Sequence, residues 1–202
     1  MIKAIIFDNN GVLTFSDKEK TVANFAKYFK IDESELRKVF DDFAKPLDDG
    51  TITTYDFHKK IANHFGKDFN YKDLLKVHIN SYQPKEGMRD FLLTLKKDYD
   101  IVLLTNFGDA FDDANKEVWS YDNLFDKDKL FVSCKMKMKK PDKDIYEACL
   151  KSLGLKPEET VFVDDRELNL KAPQELGMNV ILFTEIDELK KDLSKLLNKK
   201  YV

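Results

Sequence analysis

Five short apolar runs separated by helical patterns constrain this chain more than any other feature. The runs fall at 2–7, 101–104, 130–132, 161–163 and 180–183, and each is rich in Val, Ile, Leu or Phe. They lack the strict in–out alternation of a half-solvated strand, as strands covered on both faces do. Between them, Met88, Phe91, Leu92 and Leu95 recur at i, i+3, i+4, i+7. Ile145, Ala148, Cys149 and Leu153 lie close to one helical face, and Ile186, Leu189, Leu193 and Leu196 do the same near the end. Strands alternating with helices predict an α/β fold in which helices wrap a mainly parallel sheet.

Residues 15–83 break the alternation and hold no convincing strand. Val22, Phe25, Ala26 and Phe29 form one amphipathic stripe, and Leu36, Val39, Phe40 and Phe43 a second. Asp32 stands at the N-cap position of the second, with Glu35 three residues on. Phe57, Ile61 and Phe65 form a third stripe behind Thr53 and Asp56, and Leu74, Leu75 and His78 belong to a fourth. Asp48-Asp49-Gly50 signals a turn between the second and third. The division expected is a core of residues 1–14 and 84–202, with an all-helical insert at 15–83. The aromatics of the insert sit at helical spacing, which assigns them to packing.

Composition narrows the function classes. The 34 basic and 37 acidic side chains leave a net charge of −3, and no like-charge block is long enough to read as a nucleic-acid-binding tail. The C-terminal lysines are spaced like a solvated helix face. The two cysteines, Cys134 and Cys149, do not make a disulfide framework and read as core thiols. His58, His64 and His78 lack metal-ligand spacing. No apolar run reaches the ~20 residues of a membrane span, and the N-terminus runs directly into a strand without a signal peptide. A cytoplasmic protein, monomer or homodimer, without nucleic-acid or membrane partners is the expectation.

An open parallel sheet binds ligands at the carboxyl ends of its strands, so the residues there carry the chemistry. After the first run come Asp8, Asn9, Asn10 and Gly11. After the second come Thr105 and Asn106, after the third Lys140-Pro141, and after the fourth Asp164, Asp165 and Asn169. Any one segment alone reads as turn and cap residues. Together they place three carboxylates at one sheet edge, which is costly unless a cation compensates them. Magnesium takes oxygen ligands and keeps a place for phosphate oxygens. A lysine and a threonine beside it suit phosphoryl transfer, which needs mainly positioning and charge neutralisation. An Asp at the end of the first strand could then attack phosphorus.

Four segments, "FDNNGVLT", "LLTNFG", "KKPDKDIY" and "VFVDDRELNLKAPQELGM", resemble the haloacid dehalogenase superfamily in its helical-cap subfamily. The last two are similar to the phosphatase half of soluble epoxide hydrolases and to bacterial sugar-phosphate phosphatases. The resemblance covers nearly the whole chain. It implies a three-layer Rossmann-like core plus a small helical cap domain that closes over the site, with hinges near 14–17 and 82–85. It implies a Mg2+-dependent phosphatase acting on a small phosphorylated metabolite through an aspartyl-phosphate. Asp8 would be the nucleophile and a metal ligand, and Asn10 would lend its main-chain carbonyl to the metal. Thr105 and the Asn106 amide would hold phosphate oxygens, and Lys140 would neutralise nucleophile and phosphoryl group. Asp165 would bind the metal directly, Asp164 through water, and Asn169 would order that loop.

One position departs from the resemblance. Active relatives usually carry Asp where Asn10 stands. That Asp protonates the leaving alcohol and later deprotonates the attacking water, help typically worth ~10²–10⁴-fold. Asn10 leaves open a slowed phosphatase, a phospho-ligand-binding or regulatory protein without turnover, and an Asp→Asn change introduced to stall the enzyme. A metal-free 2-haloacid dehalogenase is a further reading, disfavoured by the paired Asp164 and Asp165.

Overall fold

The computed structural model describes residues 1–15 and 18–201. Strand β1 (Ala4–Phe7) opens the chain. Four helices follow: α1 (Lys18–Phe29), α2 (Glu33–Ala44), α3 (Thr54–His64) and α4 (Tyr71–Ile79). The alternating part then runs α5 (Met88–Leu95), β2 (Asp100–Thr105), α6 (Phe111–Ala114), β3 (Leu130–Val132), α7 (Ser133–Met136), α8 (Lys143–Leu153), β4 (Thr160–Asp164), α9 (Glu167–Leu176), β5 (Asn179–Leu182) and α10 (Ile186–Leu197). A π-helical turn at Asn115–Trp119, which the apolar pattern does not announce, continues α6.

All four strand pairings are parallel, in the order β3-β2-β1-β4-β5. β1 lies in the middle, with Phe7 level with Leu103 on one side and Val163 on the other. The chain runs outward from β1 through β2 to β3, then returns to β4 on the other side. The strand order therefore reverses between β1 and β4, where a crevice opens at the carboxyl ends.

Successive side chains of a strand point to opposite faces, and β1 divides accordingly. Ile5 and Phe7 pack with Phe91, Leu92, Leu95, Leu189 and Leu193 of α5 and α10. Ala4 and Ile6 pack with Ile145, Tyr146 and Cys149 of α8 and Leu170 of α9. All four β1 residues are fully buried, and each Ile or Phe among them contributes roughly 1.5–3 kcal/mol. The two faces make the three layers expected. Cys134 and Cys149 are buried and unpaired.

Helices α1–α4 close around a cluster of their own, centred on Phe25, Leu36, Phe57, Ile61 and Leu74. Their starts follow from local chemistry. Asp32 accepts from the main-chain N–H groups of Ser34 and Glu35, while Glu35 turns its carboxylate to Lys38 instead of back to the cap. Thr53 and Asp56 form a reciprocal capping box, and Asn70 caps α4 through the N–H of Asp73. The chain leaves and re-enters the sheet region side by side. Thr14 pairs antiparallel with Pro84, Phe15 N–H donates to Gln83 O at 2.9 Å, and Lys85 N–H donates to Leu13 O at 2.9 Å. Of the hinge positions expected near 14–17, residues 16 and 17 lie outside the described residues. No helix among the described residues is long and apolar enough to cross a membrane.

Candidate active site

Asp8 is the first residue past β1, and its N–H still bonds Val163 O at 2.9 Å, so the adjacent strand fixes its main chain. Thr105 and Asp164 are the last residues of β2 and β4, one step earlier than loop positions, and so inherit the rigidity of the sheet. Lys140 arrives from the β3 side, before a cis Lys140–Pro141 peptide bond. Its ammonium lies 2.7 Å from Asp8 Oδ1 and 2.7 Å from Asp164 Oδ2, and the three side chains are almost wholly buried.

The triad is held from behind. Asn106 brackets the Lys140 main chain with two bonds of 2.9 Å: its Oδ1 accepts from Lys140 N–H, and its Nδ2 donates to Lys140 O. The Asn106 side-chain amide is thus committed to placing the lysine, leaving only its main-chain N–H for an anion. Asn169, expected to order the loop after β4, sits in the first turn of α9. Its Nδ2 donates to both oxygens of Asp164, at 2.9 and 3.0 Å, and its carbonyl accepts from Tyr146 Oη at 2.8 Å. With Arg166 N–H also donating to Asp164 Oδ1, both Asp164 oxygens are occupied.

Asp8, Asp164 and Asp165 each bring a carboxylate oxygen within 4.8 Å of the others, a spacing at which one cation could be shared. Two buried polar atoms nearby, Asp165 Oδ1 and Thr105 Oγ1, have no hydrogen-bond partner among the described residues. Orphaned buried polar atoms are costly. Here one is a potential metal ligand and the other a potential phosphate donor. Three carboxylates against one ammonium leave two negative charges, which a divalent cation balances. Burial pushes the Asp8 carboxyl up to about 7 against the opposing pull of Lys140 and of the Asn9 N–H, and Asp164 adds to the push. Burial, then Asp164, raises Asp165 as well. Lys140 stays firmly charged: burial works against it, but Asp8 and Asp164 together raise its pKa.

Asn10 is half-buried, and its Oδ1 accepts from Thr14 Oγ1 at 3.3 Å and Asn9 Nδ2 at 3.4 Å. Asn9 is fully buried and receives Tyr121 Oη at 2.6 Å. Sequence reasoning did not single out Gly11. Its φ is +96°, and a Cβ there would lie 2.1 Å from Asp165 Oδ2, so the Asp165 carboxylate occupies the space a side chain would fill. The glycine in "FDNNGVLT" was visible, but its partner 154 residues away was not. Lys85, also unmarked by the sequence, donates its ammonium to Gly11 O and fixes the same turn.

The sequence pattern of the haloacid dehalogenase-like hydrolase family matches residues 2–177. D-ribitol-5-phosphate phosphatase of Bacteroides thetaiotaomicron is 25% identical over 98% of this chain and 100% of its own length. A flavin mononucleotide hydrolase of Arabidopsis thaliana is 33% identical over 68% of this chain and 57% of its own. Among solved structures, a Bacteroides thetaiotaomicron enzyme in complex with magnesium and inorganic phosphate superposes with a TM-score of 0.81, at 29% identity, covering 94% of this chain and 99% of the other.

Proposed function

The chain belongs to the haloacid dehalogenase-like hydrolases, and from that premise we propose that it is a magnesium-dependent phosphatase of small phosphorylated metabolites. Its cofactor is magnesium, which Asp8, Asp165 and the main-chain carbonyl of Asn10 would hold, with the Asp164 carboxylate beside them adding negative charge. When bound, the ion supplies the positive charge that lets a phosphate dianion approach a carboxylate. Asp8 attacks phosphorus and becomes an aspartyl-phosphate. Lys140 steadies the Asp8 carboxylate and the equatorial phosphoryl oxygens as charge builds. Thr105 Oγ1 and the Asn106 N–H donate to those oxygens, while the Asn106 side chain keeps Lys140 in register. Asn169 orients Asp164.

One observation carries this reading: the buried Asp8–Lys140–Asp164 triad at 2.7 Å contacts beside an unpartnered Asp165 oxygen. Residues 1–14 and 84–202 form the catalytic core in this account. Residues 15–83 form a cap that turns where the chain crosses at 14–15 and 82–85 and excludes water on closure. Phosphorylated polyols and sugars are the substrates to test first, since the relative aligned along its whole length is a phosphatase of a sugar-alcohol phosphate. Asn10 favours a second reading, a phospho-ligand-binding protein without turnover, because an amide cannot exchange the proton a carboxyl would.

The test is phosphate release from p-nitrophenyl phosphate and a panel of polyol and sugar phosphates with magnesium. The phosphatase reading expects turnover lost in EDTA and in Asp8→Asn. Thermal stabilisation by inorganic phosphate and magnesium with no turnover on any substrate would select the binding protein instead.

A further inference from the structure

A small cavity opens beside Asn10, between the strand ends and helices α2–α4, with a volume of about 90 Å3, room for several water molecules. Asn10, Asn106, Phe40, Asp48, Phe57 and Tyr82 are among its walls. Most of its other polar groups are already committed. Thr54 donates both its N–H and its Oγ1 to Asp109, at 2.7 and 2.6 Å. His78 pairs with His58 at 3.1 Å, and the Asn106 side chain brackets Lys140. Asp48 is the acidic side chain on this wall, and its carboxylate takes no hydrogen bond or ion pair from another described side chain.

The position of Asp48 is built. Ser133 Oγ donates to Asp48 O, Lys137 Nζ donates to Gly50 O at 3.0 Å, and Lys139 Nζ lies 2.7 Å from Asp49 Oδ2. Gly50, at φ +68°, presses so close to Cys134 O that a Cβ would come within 2.9 Å of it. The turn between α2 and α3 is therefore tied to the sheet side of the molecule, and it sets Asp48 in the wall of the cavity that Asn10 shares. The charges around it are Lys139, Arg166 and Lys140, which favour its ionised form, and Asp49, which opposes it. Burial is the largest influence and raises its pKa above the ordinary carboxylate range.

We propose that Asp48 is the proton carrier of this enzyme, giving the departing alcohol the proton that Asn10 cannot and recovering one from water. The proposal rests on the phosphatase reading. Asp8 forms a bond to phosphorus as the phosphorus–alkoxide bond breaks, and the Asp48 carboxyl transfers its proton to the alkoxide oxygen, leaving as a free alcohol. Asp48, now ionised, takes a proton from a water whose oxygen attacks the aspartyl-phosphate. The Asp8–phosphorus bond breaks, orthophosphate departs, and both carboxyls return to their starting states.

The test uses the full chain with magnesium and compares kcat/KM for p-nitrophenyl phosphate with that for the best small alkyl phosphate of a panel that includes glycerol 3-phosphate. This parameter covers binding and the steps through the first phosphoryl transfer and leaves out hydrolysis of the aspartyl-phosphate, and only the alkyl leaving group needs protonation. Asp48→Asn should lower alkyl kcat/KM by ~10²-fold or more and the aryl value by less than about 5-fold, with an unchanged thermal midpoint. Adding Asn10→Asp to Asp48→Asn should restore at least about tenfold of the alkyl loss. Equal losses on both substrates, no loss on either, or a wild-type chain that hydrolyses only the aryl ester would each overturn the role of Asp48. Those outcomes, with turnover still abolished by Asp8→Asn, leave the phosphatase reading standing. A chain that turns over neither substrate with magnesium overturns both.

Discussion

Replacing Gly11 with alanine perturbs the metal site without touching a ligand. A Cβ at this position would lie 2.1 Å from Asp165 Oδ2 and 2.4 Å from its Cγ. Ordinary contact begins near 3.4 Å, so the carboxylate must retreat by about 1.3 Å. Magnesium holds its oxygens at ~2.0–2.1 Å in near-octahedral geometry, and a displacement of that size would take Asp165 out of the coordination proposed for it. The backbone cost is a separate matter: a residue with a Cβ loses about 1–2 kcal/mol in a left-handed conformation. Gly154 separates the two effects, because its φ is +64° and nothing lies within 4 Å of a Cβ built there. Gly154→Ala should lower Tm by about 2–8 °C and leave magnesium dependence unchanged. Gly11→Ala should lower Tm at least as much and raise the half-saturating magnesium concentration by ~10-fold or more. Phosphate release against magnesium concentration, with calorimetry of magnesium binding alone, reads both. Identical magnesium dependence in the two variants and the wild type would refute the claim that Gly11 makes room for a ligating Asp165.

Lys140→Met strands Asp8 and Asp164 face to face; breaking such a buried pairing costs roughly 3–5 kcal/mol, and magnesium should recover more Tm in this variant than in the wild type. Leu74→Ala opens a cavity in the cluster of α1–α4 and should cost about 2–5 kcal/mol. Hydrogen exchange should accelerate mainly within residues 18–79, and uniform acceleration across the sheet would argue against a separate cap. Burial depresses His58 to about 2 and His78 to about 4, each aided or opposed by a neighbour: His78 lowers the first, Asp109 raises the second. Both folded values lie below the unfolded 6.5, so the unfolded chain binds the extra protons. Stability is then lost as pH falls from about 6.5 toward about 4, by about 1.4 kcal/mol per pH unit for each histidine. Urea denaturation at pH 7 and pH 5 measures it, and His78→Leu should remove about half of that slope.

The parts of the site legible in the sequence are those that follow a strand directly. A buried parallel strand is a contiguous apolar run, and ligands gather at its carboxyl end, so Asp8, Thr105, Asp164 and Asp165 could be picked out one strand at a time. What escaped are pairings between distant segments. Asp48-Asp49-Gly50 reads as a turn, and it is one, but nothing local says that Ser133 and Lys139 anchor it beside Asn10. His58 and His78 fail any ligand-spacing rule because they meet across two helices at 3.1 Å, inside the aromatic cluster around Phe25 and Phe57. Asn106 was read for its amide toward an anion, whereas its side chain holds the Lys140 main chain. The apolar stripes located α1–α5, α8 and α10, while α6, α7, α9 and the π-helical turn at Asn115–Trp119 had no stripe to announce them.

The central place of β1 has a consequence for biogenesis. Its partners are residues 100–103 and 160–163, so β1 must wait until residue 163 is synthesised before both its edges are sealed. At translation speeds of ~5–20 residues per second, that wait lasts roughly 8–30 s. Until residues 100–103 emerge both edges of Ala4–Phe7 are open, and one stays open until residues 160–163 follow, an unpaired template of the kind prone to aggregation. The contiguous stretch from α1 to α4 needs no such delay, since its apolar residues meet one another within a single nascent segment.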